Sequence, residues 1–425
     1  MSKLIIRGGR RISGTYRAPG NKNAALPMVC AALLTAEPVV LENIPLIDDV
    51  QTTLLQLERL GVKVERDREQ RRVTLQADAI KTTRLDRALC AKVRSAILFA
   101  GPLLARCGRA SICQPGGDGI GRRRLDTHVN GLRALGATLS RRNGFHFRTT
   151  GLVGRDILLD ESSVTATENL LMAAVLAKGR TTIYHAACEP HVQDLCRLLN
   201  KMGASISGIG TNLLTIEGVA QLHGATTRIG ADYIDVGSYL AAAAVTGGSL
   251  VVEGVEASDF AVLESPFRKF GVKWQIEGER LHLPAGQRLR TAYDLGDAIP
   301  KIEDGPWPAF PSDLMSILIV LATQTRGTTL FFEKMFESRM YFVDHLITMG
   351  ARIVQCDPHR VVVTGPATLH GTCVSSPDIR AGIALVIAAL AARGESTILN
   401  AGSIDRGYEE VDLRLQQLGG DVVRA

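Results

Sequence analysis

Six stretches of the chain are apolar at nearly every position: 23–36, 94–107, 168–179, 237–248, 313–324 and 381–394. A helix without a polar face must be buried on all sides, so each stretch predicts a core helix. A second pattern, about ten residues long with one apolar stripe, runs through 50–60, 192–202 and 408–418 and predicts half-exposed helices. These amphipathic stretches end in one recurring phrase: an apolar residue, a glycine, a small residue, a polar residue, an apolar residue. It appears as LGVKV (60–64), LGATL (135–139), MGASI (202–206), FGVKW (270–274), MGARI (349–353) and LGGDV (418–422). Its glycine stands where a helix closes, and the residues after it read as a strand. Core helices are likewise followed by β-branched runs, at 179–187, 248–256, 327–335 and 394–402.

The six phrases recur at intervals of 67 to 79 residues, which marks six related structural units. One unit reads core helix, strand, amphipathic helix, strand and further strands, a βαβαββ-like repeat. Three such units place their core helices together at a domain centre with the sheets outside, so six give two α/β domains. The expected boundaries follow the repeat: 22–231 as one domain carrying the loop 114–124, and 1–21 plus 232–425 as the other. The chain would then cross twice, near Gly20 and near Gly230 and Ala231.

Composition changes this picture little. The chain has 425 residues, 46% of them apolar, enough for two cores. Eight cysteines lie scattered without a C-x-x-C pair, which argues against a zinc site or a disulfide framework and for a reducing cytoplasm. The longest apolar run, 381–392, falls short of the ~18 residues a membrane span needs, and the start MSKLIIRGG does not read as an export signal. A net charge of +6 with 5% aromatics gives little support to nucleic-acid binding and fits a small anionic substrate.

Candidate chemistry collects where the core helices begin. Lys22 and Asn23 open the first, Arg94 the second and Asp313 the fifth, while Asp378 and Arg380 precede the sixth. Helix N-termini attract phosphate and carboxylate groups; a plain alternative makes Asp313 and Asp378 helix caps and Lys22 a solvated charge. The loop QPGGDGIGRRRLDTH (114–128) holds four glycines within six residues, with Asp118 inside it and Arg122, Arg123 and Arg124 following. It is not a dinucleotide-binding fingerprint. It reads as a lid carrying an acid, or as a solvated turn with a basic edge. Arg339 in FESRM and Arg406 in SIDRGYEE occupy corresponding loops and suggest anion clamps.

GNKNAALPM, PGGDGIG, RRRLDTH, SVTATEN (163–169), FPSDL, FESRM, PDIRAG and SIDRGYE, in this order over essentially the whole chain, resemble the enolpyruvyl transferases that act on UDP-N-acetylglucosamine. The resemblance implies two inside-out α/β barrels that close on the substrates phosphoenolpyruvate and UDP-N-acetylglucosamine, with no cofactor and no metal. The chain would be a monomer or weak homo-oligomer in the cytoplasm, serving peptidoglycan synthesis. It also implies roles. Lys22 and Asn23 would meet phosphoenolpyruvate and sugar; Arg123, Arg339, Arg380 and Arg406 would hold phosphate and carboxylate, with Asp378 beside them; Asp313 would be the base. Arg94, the run Arg123, Arg124, Leu125, Asp126 and Thr127, then Glu161, Ser163 and Val164 would face the nucleotide, and Met335 the sugar.

Departures from the family pattern are informative. Asp118 stands where a cysteine is common. To give a proton near neutral pH, an aspartate, ordinarily near 3.9 against ~8.5 for cysteine, needs desolvation or a neighbouring carboxylate. Fosfomycin alkylates the thiol, so resistance is expected. Glu161 replaces a lysine, Thr165 a glycine, Arg124 a proline, Tyr233 an arginine and Met315 a glutamine. These leave open another uridine nucleotide, such as UMP, as acceptor. A non-catalytic binder of anions or nucleic acid is the reading from another class; the joint presence of Lys22, Asp118, Asp313 and Arg406 speaks against it.

Overall fold

A computed structural model describes residues 2–425. It divides into two compact units. Unit A comprises residues 20–117 and 124–230; unit B comprises the chain up to Pro19, residues 118–123 and residues 231–425. The chain therefore passes between units at 19/20, 117/118, 123/124 and 230/231, where the sequence led us to expect two passages. The added pair arises because the tip of the glycine-rich loop is tied by hydrogen bonds to residues 337 and 338 of unit B.

Unit A is built around Lys22–Ala31, Ala100–Cys107 and Val164–Ala174, helices in contact either directly or through the 3-10 turn Arg94–Phe99 that leads into the second. Three sheets surround them. Val39–Glu42, Arg72–Gln76 and Lys63–Asp67 pair antiparallel, with Ala225–Arg228 added parallel to the first. Arg109–Ile112, Phe145–Arg148 and Thr138–Ser140 form a three-stranded sheet. Ser205–Ser207, Leu213–Glu217, Arg180–Tyr184 and Asp156–Leu158 form the third.

Unit B repeats the plan with Tyr233–Thr246, Met315–Gln324 and Ile379–Ala391, each touching the other two. Its sheets are four-stranded. Leu4–Arg7 lies between Glu395–Leu399 and Asp421–Arg424, in register Leu4 to Ile398 and Leu4 to Arg424, and Cys373–Ser375 completes that sheet. Gly14–Arg17 runs parallel to Leu250–Glu253, next to Arg280–Leu283 and Gln275–Glu277. Lys301–Glu303, Gly327–Phe332, Arg360–Gly365 and Arg352–Gln355 make the third.

The apolar stretches are indeed the cores: every residue from Met315 to Thr323 is buried, as is every residue from Ile379 to Leu390. The helices differ from the apolar stretches at both ends: Lys22–Ala31, Tyr233–Thr246 and Ile379–Ala391 begin earlier, behind polar caps, and Lys22–Ala31 and Val164–Ala174 each stop five residues short. Asn21 Oδ1 accepts from the N–H groups of Asn23 and Ala24 at 2.8 and 3.1 Å, and Asp232 Oδ1 from Ile234 at 2.9 Å. The stretch expected as a helix over 408–418 is helical only for Val411–Gln417, since Glu410 takes a left-handed conformation. All six repeat glycines, 61, 136, 203, 271, 350 and 419, have φ between 82° and 103°, the conformation that lets the chain leave a helix sharply.

Candidate functional site

Unit B gathers charged side chains around the start of the helix Met315–Gln324. Pro311 and Leu314 occupy the N-cap positions of the preceding 3-10 turn Ser312–Leu314 and of the helix, and Asp313, inside that turn, is the N-cap of neither. Its two oxygens instead meet two guanidinium groups, Oδ1 with Arg339 Nη2 and Oδ2 with Arg380 Nη2, each at 2.9 Å. Both arginines are about 95% buried while Asp313 keeps 27% of its side-chain surface. Burial works against the charge of Arg380, but Asp313, Tyr408 and Asp232 outweigh it and hold the guanidinium proton more firmly than usual. Its plane lies 5.6 Å from the Tyr408 ring.

Arg339 is only partly satisfied. Its Nε and Nη1 have no hydrogen-bond acceptor among the described residues. Nε lies 3.9 Å from Glu333 Oε2, inside ion-pair range and beyond hydrogen-bond range. Buried guanidinium N–H groups without acceptors are costly unless an anion is their intended partner.

The tip of the glycine-rich loop belongs to this cluster. Asp118 Oδ1 is 2.5 Å from Arg406 Nη1. Arg122 donates its backbone N–H to Glu337 Oε2 at 3.1 Å, and Ser338 N–H donates to the Ile120 carbonyl at 3.2 Å. Arg123 and Arg339 both lie against the Phe336 ring, at 5.9 and 5.2 Å. Burial lowers the affinity of Arg123 for its proton, opposed by the pull of Asp118 and Asp313. A second carboxylate beside Asp118, one of the two ways in which it was expected to become an acid, is not what this arrangement supplies: its partner is a cation, because Arg406 lies directly under the loop tip.

Other unit B residues separate into two kinds. Asp378 is a helix cap, its Oδ1 accepting from Arg380 and Ala381 N–H at 2.8 and 3.0 Å. Met335 is 40% exposed. Met315 and Tyr233 are buried, Tyr233 packing 5.7 Å from the Trp307 ring, so both departures from the family pattern are core packing here.

In unit A, Lys22 Nζ pairs with Asp49 Oδ2 at 2.7 Å, both nearly buried, and Asn23 sits beside it in the first turn. The solvated reading of Lys22 is thereby excluded. Arg94 Nη2 donates to the Arg124 carbonyl at 3.0 Å. Arg124 is held by Asp126, the first residue of the helix Asp126–Ala134, which leaves Leu125 buried between them. Thr127 Oγ1 donates weakly to Glu161 Oε1, at 3.5 Å. Arg124 is thus already engaged and offers Glu161 no compensating cation. Ser163 and Val164 open the helix Val164–Ala174, whose first-turn N–H groups suit an anion. Thr165 has a structural reason: its hydroxyl is 3.1 Å from His128 Nε2, while Asn169 Nδ2 is 3.1 Å from His128 Nδ1. Burial, with help from Arg94, pushes His128 down to about 3, so it is neutral.

Sequence reasoning missed Asp49, His128, Phe336, Glu337, Tyr408 and the buried pair Asp304 and Glu333. The acidic first turn of the helix Asp48–Leu60 was a readable signal for Asp49; nothing local marks the others. Among the described residues, no three His, Cys, Asp or Glu side chains converge in a way that could hold a metal ion, and no helix is long and apolar enough to cross a membrane.

The pattern of EPSP synthase (3-phosphoshikimate 1-carboxyvinyltransferase) matches residues 6–415. The UDP-N-acetylglucosamine 1-carboxyvinyltransferase of Treponema denticola is 54% identical over 419 residues, covering 99% of this chain and 98% of that one. The enzyme of the same name from Bradyrhizobium diazoefficiens is 50% identical over 422 residues, with the same coverage. Among solved structures, the enolpyruvyl transferase NikO from Streptomyces tendae superimposes with a TM-score of 0.89 at 23% identity, covering 100% of this chain and 99% of that one. An EPSP synthase from Acinetobacter baumannii reaches 0.77 at 17% identity with the same coverage, and both likenesses are of fold. With that match over nearly its whole length, the chain belongs to the EPSP synthase family of enolpyruvyl transferases.

Proposed function

We infer that this chain transfers the enolpyruvyl group of phosphoenolpyruvate to the 3′-hydroxyl of UDP-N-acetylglucosamine and releases phosphate, the committing step of peptidoglycan synthesis in the cytoplasm. The observation that carries this is full-length identity above one half to enzymes named for that transfer. In finer detail, each unit is read as an inside-out barrel of three repeats, a reading supported by its three core helices, joined directly or through the 3-10 turn Arg94–Phe99, and by its three sheets.

The reaction adds the sugar hydroxyl across a carbon–carbon double bond and then eliminates phosphate. In the first half, Asp313 takes the hydroxyl proton, the oxygen bonds to C2 of the enol, and Asp118 gives a proton to the methylene carbon. In the second, that carbon loses a proton to the Asp118 carboxylate, the double bond returns, and the C2–O bond to phosphate breaks. Arg339, Arg380, Arg406 and Arg123 hold the anionic groups of phosphoenolpyruvate; the acceptor-less N–H groups of Arg339 support this. An anion arriving at Arg406 and Arg339 competes with Asp118 and Asp313 for the same guanidinium groups. Both carboxyl groups are then handed from their arginines to the reacting atoms, which answers how Asp118 can act beside a cation. As the family resemblance implies, Lys22 and Asn23 are assigned to phosphoenolpyruvate and sugar, Arg94, Arg124, Leu125, Asp126, Thr127, Glu161, Ser163 and Val164 to the nucleotide, and Met335 to the sugar.

Phosphate release from phosphoenolpyruvate, measured with UDP-N-acetylglucosamine, with UMP and with neither, tests the assignment. Release only with UDP-N-acetylglucosamine is expected. Faster release with UMP would overturn the acceptor, and none with either would overturn the activity.

A further inference from the structure

Behind Arg339 lies a polar group that the mechanism above does not use. Glu333, at the end of the strand Gly327–Phe332, is fully buried, and so is Asp304, just after Lys301–Glu303. Asp304 Oδ2 is buried without a hydrogen-bond partner among the described residues, and the Glu333 carboxyl beside it could supply one only by carrying a proton. The rest of the surroundings is made of donors. Ser312 Oγ lies 2.9 and 2.8 Å from the two oxygens of Glu333; Met335 and Phe336 N–H donate to Oε1 at 3.2 and 3.1 Å; Lys334 N–H donates to Asp304 Oδ1 at 2.5 Å. Ser312 directly precedes Asp313, and residues 335 and 336 lead into Arg339. One buried acid thus fixes the turn carrying the base and the turn carrying its arginine.

We propose that Glu333 and Asp304 form a proton-sharing positioning pair for the transfer reaction: while they share a proton, Arg339 stays aimed at Asp313 and at the substrate anion, and when that proton leaves, Glu333 draws Arg339 away. The geometry supplies the two positions. Arg339 Nη2 is at hydrogen-bond distance from Asp313, and Nε stands 3.9 Å from Glu333 Oε2, close enough to be captured by a full carboxylate and not yet bonded to it. Other charged groups around the pair are few. Arg339 faces it from the 3-10 turn Arg339–Phe342, with Asp313 on the far side of Arg339; His359 Nδ1 is 2.7 Å from the backbone carbonyl of Glu333, and the adjacent Lys334 pairs with Glu303 at 3.4 Å. Burial first, and then the neighbouring Asp304, push Glu333 well above the ordinary carboxylate range. The proton is therefore held throughout the neutral range and leaves only in alkali.

This inference rests on the assignment of Asp313 and Arg339 to the reaction, so its test has a reading independent of turnover. Infrared difference spectra of the unliganded enzyme, wild type minus Glu333→Gln, should show the carbonyl band of a protonated carboxylic acid at pH 7 that bleaches with an alkaline midpoint. No such band would overturn the proton-sharing pair whatever the enzyme's substrate. In turnover, wild-type kcat/KM for phosphoenolpyruvate should fall roughly tenfold per pH unit above that midpoint, as for loss of one proton. Glu333→Gln supplies a permanent donor toward Asp304; it should stay within about fivefold of wild type at pH 7.5 and lose the alkaline fall. Asp304→Asn, which donates to an already ionised Glu333, should lose it too. Glu333→Ala should drop at least about a hundredfold; its thermal midpoint separates this from unfolding, and the Gln and Asn variants decide the question if it does not fold. An alkaline fall with an unchanged midpoint in Glu333→Gln, or none in wild type, would overturn the positioning role.

Discussion

A carboxylate held at 2.9 Å by each of two buried guanidinium groups, as Asp313 is, keeps one orientation until something competes for its partners. On the proposed mechanism it is a base armed by substrate. Asp313→Asn keeps the shape and removes the proton acceptor, so kcat should fall by roughly 10² to 10⁴ with thermal stability little changed; a loss below tenfold would remove Asp313 from that role. Asp118 carries a second residue-scale consequence. Wild-type protein should resist time-dependent inactivation by fosfomycin, and Asp118→Cys should become sensitive while keeping turnover, read as residual activity against preincubation time. His128 gives a pH signature of folding. Its folded value, about 3, lies below the ordinary 6.5, so its contribution is whole above pH 6.5 and lost as pH falls toward 3. Between those limits the denaturation midpoint of wild type should fall more steeply than that of His128→Gln, by at most about 1.4 kcal/mol per pH unit.

At the scale of elements, the stability of each unit rests on helices that have no exposed face. Leu318 is fully buried in Met315–Gln324, and Leu318→Ala should cost about 2–5 kcal/mol in urea unfolding. Leu55, in the amphipathic helix Asp48–Leu60, is 45% exposed, and Leu55→Ala should stay within about 0.5 kcal/mol. The same contrast explains what the sequence made legible. Continuous apolar runs and a glycine phrase every seventy residues or so are local signals, and they located the core helices and the helix ends. The 3-10 turns at Arg94–Phe99 and Ser312–Leu314 were not legible, because periodicity does not distinguish a tightened first turn from an α-helical one. Asp378 and Asp313 look alike in sequence, an acid before an apolar run, yet one caps its helix and the other turns away toward arginines 26 and 67 positions further on. The Asp304 and Glu333 pair, Phe336 beneath two arginines and Glu337 on the loop tip exist only through tertiary contact, so no window along the chain could reveal them.

At the scale of the whole molecule, the loop 114–124 is the segment where the chain passes from unit A to unit B and back. Among the bonds that hold its tip are the Asp118–Arg406 pair, the Arg122 N–H to Glu337, the Ser338 N–H to Ile120 and the stacking of Arg123 on Phe336. Trypsin should cut after Arg122 to Arg124 in the free enzyme and be retarded by UDP-N-acetylglucosamine. Glu337→Gln, which weakens the grip on the Arg122 N–H, should cut faster, followed by gel densitometry over time. Unchanged cleavage in both comparisons would show that the loop is not the mobile element.

The central claim is that the sugar hydroxyl adds across the enol double bond while a carboxyl group protonates the methylene carbon. The most direct measurement is mass spectrometry of the enolpyruvyl sugar nucleotide formed in deuterated water. Addition and elimination through Asp118 and Asp313 predict deuterium in the methylene group of the product, lost in Asp118→Asn together with turnover. Product that forms at the wild-type rate with no deuterium would mean that the double bond is never saturated, and would contradict the account.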